Sequence, residues 1–249
     1  MRIEQPTIFL LTQLREAMEG KILPAAFQRS YAWDREDVEA LWTSIMKGYP
    51  IGGLTMWRPD RELPLDRMGR NRLGPIEASG SPWSVLLLDG QNRLASLAWS
   101  MVLPGAARPD PADLSVQERE TWDPAYQLVC DYETRSIRFV PLAEAETLNR
   151  FPVALLENNG LLNRHMRALF NAGQMEDAFF AWVDTMQTQL RETRVNSVLL
   201  NGLTPAEAVD AFQHIGKVGK PMQPGDLAAA MEWFSNEPEM DAPGNPRRP

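Results

Sequence analysis

The sequence has almost none of the residues that build disulfide frameworks or zinc sites. Its 249 residues include one cysteine, Cys130, and two histidines, His165 and His214, which stand far apart. One cysteine excludes an internal disulfide framework, and these three residues do not form a cluster with zinc-ligand spacing. Any metal ion is therefore expected to have oxygen ligands. Cys130 has no basic neighbour and is interpreted as a small core residue.

Long apolar runs are also missing. No stretch of about 18 apolar residues could span a bilayer, and no charged and then apolar leader follows Met1. The composition, with 44% hydrophobic residues, is sufficient for a real core. We therefore expect a folded cytoplasmic protein that has no membrane partner.

Positive charge is scarce, since 25 Lys and Arg oppose 33 Asp and Glu for a formal net charge of −8. This balance argues against a protein that coats nucleic acid through general electrostatics. One segment, 58–72, is locally rich in arginine. It is read either as a solvated loop or as a local anion-binding patch.

Several nucleotide and acyl-transfer motifs are absent. The sequence contains no G-x-x-x-x-G-K-[ST], no G-x-G-x-x-G after a strand, no Ser-centred elbow and no Cys and His pair. Walker-type ATPases, Rossmann enzymes and acyl-transfer enzymes of these kinds are therefore not expected.

The hydrophobic pattern predicts a mixed α/β first part and a helical second part. Residues 1–141 are predicted to form one domain, 142–235 a helical region packed on it, and 236–249 a flexible tail. The predicted elements of the first part are a helix capped by Asp34, strands at 51–57 and 84–88, a helix at 91–101, and a hairpin at 126–140. In the second part they are an amphipathic helix at 175–195, a short run at 195–200, a helix from a Thr204 and Glu207 capping box to about His214, and a helix near Pro224.

The stretch LLLDGQNR carries the clearest chemistry. Asp89 closes an apolar strand, Gly90 permits a tight turn, and the next residues open a helix whose first backbone N–H groups are unpaired. Such a helix end attracts phosphate, and Arg93 can add charged donors. An acid at a strand end can hold Mg²⁺, and Gln91 can position a water molecule. Alternatively, Asp89 is only a helix cap and Arg93 only a surface charge.

Three blocks of the sequence resemble the ParB-like N-terminal domain of the GmrSD class of modification-dependent restriction enzymes. The first runs from PAAFQRSYAWD through GYPIGG, the second is DGQNR, and the third is FQHIGKVGKPMQPGDL. The resemblance covers roughly residues 22–231. The matching residues of the first two blocks are Pro24, Gln28, Arg29, Tyr31, Trp33, Gly48, Tyr49, Pro50, Ile51, Gly52, Asp89, Gly90, Gln91 and Arg93.

The resemblance implies a ParB and sulfiredoxin-like α/β core followed by helices, in a family tied to nucleotide hydrolysis, DNA nicking and defence against phage. Asp89, Gln91 and Arg93 would be the catalytic residues, with Asp89 as the Mg²⁺ ligand. The nucleotide phosphates would be bound by Gln28, Arg29, Gly90, Asn92 and Arg93. Tyr31 and Trp33 would support the loop, although an aromatic ring beside a nucleic-acid path can also stack on a base.

Three positions depart from the family pattern: Asn92 replaces a second glutamine, Gly216 an asparagine, and Met222 a leucine. The sequence also lacks the His-Asn-His nuclease region that family members often carry, so strong double-strand cleavage is expected to need another chain. Two functions remain open. One is an NTP-hydrolysing component of a restriction or antiphage system that nicks DNA or gates its cutting. The other is a non-catalytic nucleotide or DNA sensor that regulates a nuclease, as a monomer or an oligomer.

Overall fold

The computed structural model describes residues 2–60, 69–81, 83–145, 147, 149–171 and 176–216. Its strands, in chain order, are β1 (Arg2–Glu4), β2 (Thr7–Phe9), β3 (Ile22–Pro24), β4 (Leu54–Arg58), β5 (Arg72–Leu73), β6 (Ile76–Glu77), β7 (Val85–Asp89), β8 (Tyr126–Asp131), β9 (Ser136–Pro141), β10 (Arg150–Pro152) and β11 (Arg194–Asn201). Its α-helices are α1 (Leu10–Met18), α2 (Arg35–Met46), α3 (Gln91–Ser100), α4 (Val116–Thr121), α5 (Asn159–Asn171), α6 (Asp177–Glu192) and α7 (Pro205–Gly216).

A six-stranded mixed sheet forms the centre of the fold, in the order β1-β11-β4-β7-β3, with β2 also paired to β11. β11 runs parallel to β4, β4 antiparallel to β7, and β7 parallel to β3. A second, antiparallel sheet has the order β10-β8-β9. The architecture is α+β, which confirms the predicted class; the ParB-like core stays an expectation of the resemblance.

The central sheet is covered on both faces, because its strands alternate between two buried clusters. In β7, Val85 and Leu87 belong to the larger cluster, which includes residues of α1, α2, α3 and α6, whereas Leu86 and Leu88 face the smaller cluster with Phe212 of α7. This double burial explains the uninterrupted apolar run VLLL. It also leaves Asp89, the exposed last residue of β7, at the rim of the sheet.

Most predicted elements of the first part are confirmed. Asp34 caps α2 in a capping box with Asp37, and Val38, Leu41, Trp42 and Ile45 of α2 are buried on one face. The hairpin at 126–140 is β8 and β9, and Cys130 within it is fully buried, which raises the pKa of its thiol. In the second part of the chain, the capping box of Thr204 and Glu207 opens α7 as predicted.

The second part of the chain differs from the helical character predicted for it. β10 and β11 lie within 142–216, and β11 is an inner strand of the central sheet. The predicted run 195–200 is short and directly follows a helix, so its own pattern does not identify it as an inner strand. Its place in the sheet depends on partners that are distant in sequence. The helix predicted near Pro224, the tail and Met222 lie outside the described residues. No described helix has the combined length and apolar character needed to cross a membrane.

Candidate functional site at the start of helix α3

The turn between β7 and α3 depends on one glycine. Gly90 has φ +98°, and a Cβ at this position would collide with Leu54 Cδ2. Any side chain would therefore meet both backbone strain and a steric clash. Within the described structure no side chain caps α3 at Gly90. The first backbone N–H groups of α3 are thus left for water or a ligand, beside the exposed Asp89.

The first two motif blocks meet at this helix. Asn92 Oδ1 accepts a hydrogen bond of 3.0 Å from the backbone N–H of Ala32, and the hydroxyls of Tyr31 and Ser96 are 2.7 Å apart. Tyr31 is buried, which raises the pKa of its hydroxyl and keeps it protonated. Trp33 is half-buried against the larger core cluster. The prediction that the two aromatic residues support the QRSYAWD loop is confirmed by these contacts.

Gln28, predicted to bind phosphate, has a structural contact. Its side chain is buried, and Nε2 donates to the carbonyl oxygen of Leu87 in β7. This bond ties the turn after β3 to the central sheet. Arg29, the next residue, is half-buried.

Arg93 extends toward the loop before β4. Its Nη1 donates to the carbonyl oxygen of Gly53 at 2.5 Å, and a Cβ on Gly52 would lie 2.6 Å from Nη2. Burial lowers the pKa of the Arg93 guanidinium, and the negative charge of Asp89 opposes that effect. Nε of Arg93 is buried without a hydrogen-bond acceptor among the described residues. Arg93 therefore holds the Gly52–Gly53 loop beside Asp89 and keeps unused donor capacity.

Gln91 lies on a different side of α3. It lines a polar cleft with Ser30 and Tyr31 of the first motif block and with Arg70 and Arg72. Both arginines come from the arginine-rich segment, and neither is merely solvated: each is half-buried and donates to backbone carbonyls. Sequence reasoning did not select them, because in the pattern they were two of several loop arginines.

The predicted site residues thus divide between two sides of one helix end. Asp89, Gly90, Asn92 and Arg93 surround the first turn of α3, whereas Gln91 faces the cleft. Their assignment to catalysis and phosphate binding stays a prediction, as do the roles of Gln28 and Arg29.

The described residues contain no group of three His, Cys, Asp or Glu side chains that could hold a metal ion. A single exposed carboxylate such as Asp89 does fit Mg²⁺ that arrives with a nucleotide, because this ion is often bound by one or two carboxylates, phosphate oxygens and water.

A curated relative matches nearly the whole chain. It is an uncharacterized protein of Methanocaldococcus jannaschii, with 26% identity over an alignment 255 positions long, which covers 92% of this chain. The chain spans 42% of the length of that relative. The family model for the N-terminal domain of the GmrSD restriction endonuclease matches residues 11–231, which include all three motif blocks. The chain therefore belongs to the GmrSD N-terminal domain family.

Proposed function

We propose that this protein is the nucleotide-dependent component of a DNA restriction or antiphage system and that it hydrolyses a nucleoside triphosphate with Mg²⁺. The observation that carries the proposal is the first turn of α3, which begins at Gly90 without a side-chain cap and has an exposed carboxylate next to it. A triphosphate could lie against the N–H groups of this turn while Asp89 faces its metal ion.

The chain's own residues have distinct tasks in this proposal. Asp89 holds Mg²⁺, which when bound neutralises charge on the phosphate oxygens. Arg93 keeps the Gly52–Gly53 loop closed against the turn and offers its remaining N–H groups to the phosphates. Asn92 keeps the QRSYAWD loop in place. The role expected for Gln91, positioning the attacking water, would require its side chain to turn away from the cleft that it lines.

The partners follow from the family name, which is that of a restriction endonuclease. We propose that the protein acts on or senses DNA in the cytoplasm, that it nicks DNA or gates its cutting, and that a nuclease subunit makes double-strand breaks. We also propose that the chain associates with further copies of itself.

The second candidate is a sensor that binds nucleotide or DNA without hydrolysis. Two hydrogen bonds favour the sensor, because the side chains of Asn92 and Arg93 each bond the backbone of a neighbouring loop. A ligand at the turn would compete for these groups and would therefore move both loops, which is what a regulatory module needs.

The test is phosphate release from ATP, GTP and CTP with Mg²⁺, with and without DNA, by the native chain and by Asp89→Asn. Asp89 is exposed, so the substitution should leave folding intact. We expect release to fall by about 100-fold, equivalent to about 2.7 kcal/mol of transition-state stabilisation. Asp184→Asn makes the same change at an exposed position of α6 and should leave the rate unchanged.

No release, combined with nucleotide binding that Arg93→Ala weakens, would favour the sensor. Release that is equal in the native chain and Asp89→Asn would exclude this turn as the hydrolytic site.

A further inference from the structure

The two ends of the central sheet differ. At one end the outer edge of β3 is occupied, because Ala25 bridges to Gly69 and the Arg70 N–H donates to the carbonyl oxygen of Pro24 at 2.7 Å. At the other end lies β1, which pairs with β11 and with no other strand of the described residues. The outer edge of β1 therefore offers its backbone N–H and C=O groups to a further strand.

The three residues of β1 differ between its two faces. Arg2 and Glu4 share one face, where Arg2 Nε lies 3.6 Å from Glu4 Oε1, and Ile3 points to the other. The side chains of Arg2 and Glu4 are 81% and 39% exposed, and Ile3 is 47% exposed. Ile3 lies opposite Leu200 of β11, whose buried side chain belongs to the smaller cluster. The edge thus presents two opposite charges on one face and an apolar side chain on the other.

Pro6 limits the length of this edge. β1 and β2 lie along the same side of β11, and Pro6 stands between them. Its carbonyl oxygen accepts from the Ser197 N–H at 2.9 Å. Proline has no backbone N–H and is one of the residues that interrupt exposed sheet edges. Pairing with a further strand is therefore confined to Arg2–Glu4.

One arrangement of two copies satisfies both faces of β1. In an antiparallel pairing centred on Ile3, Arg2 of each copy lies across from Glu4 of the other, and the two Ile3 side chains meet. The backbone groups of Arg2 and Glu4 point to one edge of the strand and those of Ile3 to the other, so outward groups face outward groups.

The charges select this register. Two arginines and two glutamates alternate around the pairing, and such a network contributes more than an isolated exposed pair. A shift by two residues in either direction would place Glu4 opposite Glu4 or Arg2 opposite Arg2. Like charges directly opposite each other are destabilising.

We propose that β1 is a homodimer interface, in which two copies of the chain join their central sheets through antiparallel Arg2–Glu4 strands. The inference rests on the self-association within the proposed function and names its surface. Pairing consumes the open edge of both copies, and the far edges at β3 are occupied, so assembly stops at the dimer. Three residues per copy bury much less than the roughly 1,200 Å² of a stable interface, so the dissociation constant is on the order of 100 µM.

The test is sedimentation equilibrium of the full chain between about 5 and 500 µM. The native chain should follow a monomer–dimer equilibrium. Arg2→Glu and Glu4→Arg each place like charges across the interface, so each should raise the dissociation constant at least about tenfold. Arg164→Glu makes the same charge change as Arg2→Glu at an exposed position of α5 and should leave the dissociation constant unchanged.

Charge exchange separates a lost contact from a damaged strand. Arg2→Glu combined with Glu4→Arg should restore the native dissociation constant, because opposite charges again face each other. An equimolar mixture of the two single variants should form a heterodimer, since the acidic edge of one faces the basic edge of the other. Variants with a misfolded β1 would show neither recovery.

The outcomes separate this interface from the rest of the proposed function. A monomer at every concentration would overturn both the interface and self-association, without bearing on phosphate release at the α3 turn. Dimerisation that neither single variant weakens would overturn the β1 interface and leave self-association standing. Failure of both the exchanged variant and the mixture to recover the dimer, or assembly of the native chain beyond a dimer, would also overturn the β1 interface.

Discussion

Asp131, at the end of β8, is a fully buried carboxylate that joins three segments of the second sheet. Its Oδ2 accepts from Arg138 Nη2 at 2.7 Å and from Arg150 Nε at 2.8 Å, and its Oδ1 accepts from the backbone of the hairpin turn. Asp131→Asn removes one charge and leaves both arginines without their carboxylate. We expect it to lower the free energy of unfolding by about 3 kcal/mol in chemical denaturation.

Glu144→Gln is the matched control, because Glu144 is an exposed partner of Arg150 at 3.6 Å. Exposed pairs of this kind contribute less than about 1 kcal/mol. A loss at Asp131 that is no larger than the loss at Glu144 would contradict the assignment of Asp131 as the central charge.

The same carboxylate predicts a pH dependence of stability. Burial by itself raises the pKa of Asp131, but hydrogen bonds from Arg138, Arg150 and the Thr134 N–H outweigh it, so the pKa lies below its ordinary value of 3.8. Its contribution is fully present above pH 3.8 and is lost as the pH falls through the lower folded-state value. We therefore expect the native chain to lose more unfolding free energy than Asp131→Asn between pH 5 and pH 2. Equal losses of unfolding free energy in the native chain and in Asp131→Asn would show that Asp131 does not cause the pH dependence.

The hydroxyl pair of Tyr31 and Ser96 links the first motif block directly to helix α3, whose first residues belong to the second block. We predict a coupling energy of about 1 kcal/mol in a double-mutant cycle of Tyr31→Phe and Ser96→Ala, measured by denaturant unfolding. A coupling near zero would mean that the loop is held without this bond. Ser44→Ala combined with Tyr31→Phe serves as the control, since the Ser44 hydroxyl donates to the Ala40 carbonyl oxygen within its own helix.

At the scale of elements, the hairpin of β8 and β9 contains a strained residue. Arg135 has φ +53° in the turn, and its guanidinium lies 3.8 Å from the centre of the Tyr132 ring. Arg135→Ala and Arg135→Gly both remove that cation–π contact, but only alanine keeps the left-handed strain. The glycine variant should therefore be the more stable one by about 1 kcal/mol in thermal or chemical unfolding.

Arg164 provides the opposite case, because it is exposed within helix α5. There, Arg164→Ala should be more stable than Arg164→Gly by about 1 kcal/mol. The same order of stability at both positions would contradict the conformational argument.

The elements predicted well are those with local signals. The Asp34 cap of α2, the capping box of α7 and the turn between β7 and α3 depend on neighbouring residues, so the local pattern was enough to predict them. β11 was missed as an inner strand because its partners β1, β2 and β4 are distant in sequence. The same limit applies to the site. Asp89 and Arg93 stand in a motif, whereas Arg70 and Arg72 join Gln91 only through the fold.

At the scale of the whole molecule, β11 connects the two ends of the described chain. It pairs with β1 and β2 on one side and with β4 on the other. A fragment of residues 1–141 lacks this strand and helix α6, whose Val183 and Leu190 belong to the larger core cluster. We expect the fragment to show no cooperative thermal transition, while residues 1–216 unfold cooperatively.

The fragment experiment also tests the domain boundary predicted at residue 141. A cooperative transition of residues 1–141 would support an autonomous first domain. The absence of such a transition would mean that the first part of the chain needs the second part in order to fold.

The sequence by itself determined the family, the α+β class and the position of the helix that starts at Gly90, because motif order, apolar periodicity and turn chemistry are encoded locally. Only the tertiary structure decided that Gln28 supports the sheet, that Arg93 holds the Gly52–Gly53 loop, and that Gln91 faces a cleft with Arg70 and Arg72. The physical reason is that a side chain's partner depends on which distant backbone folding brings within hydrogen-bond distance.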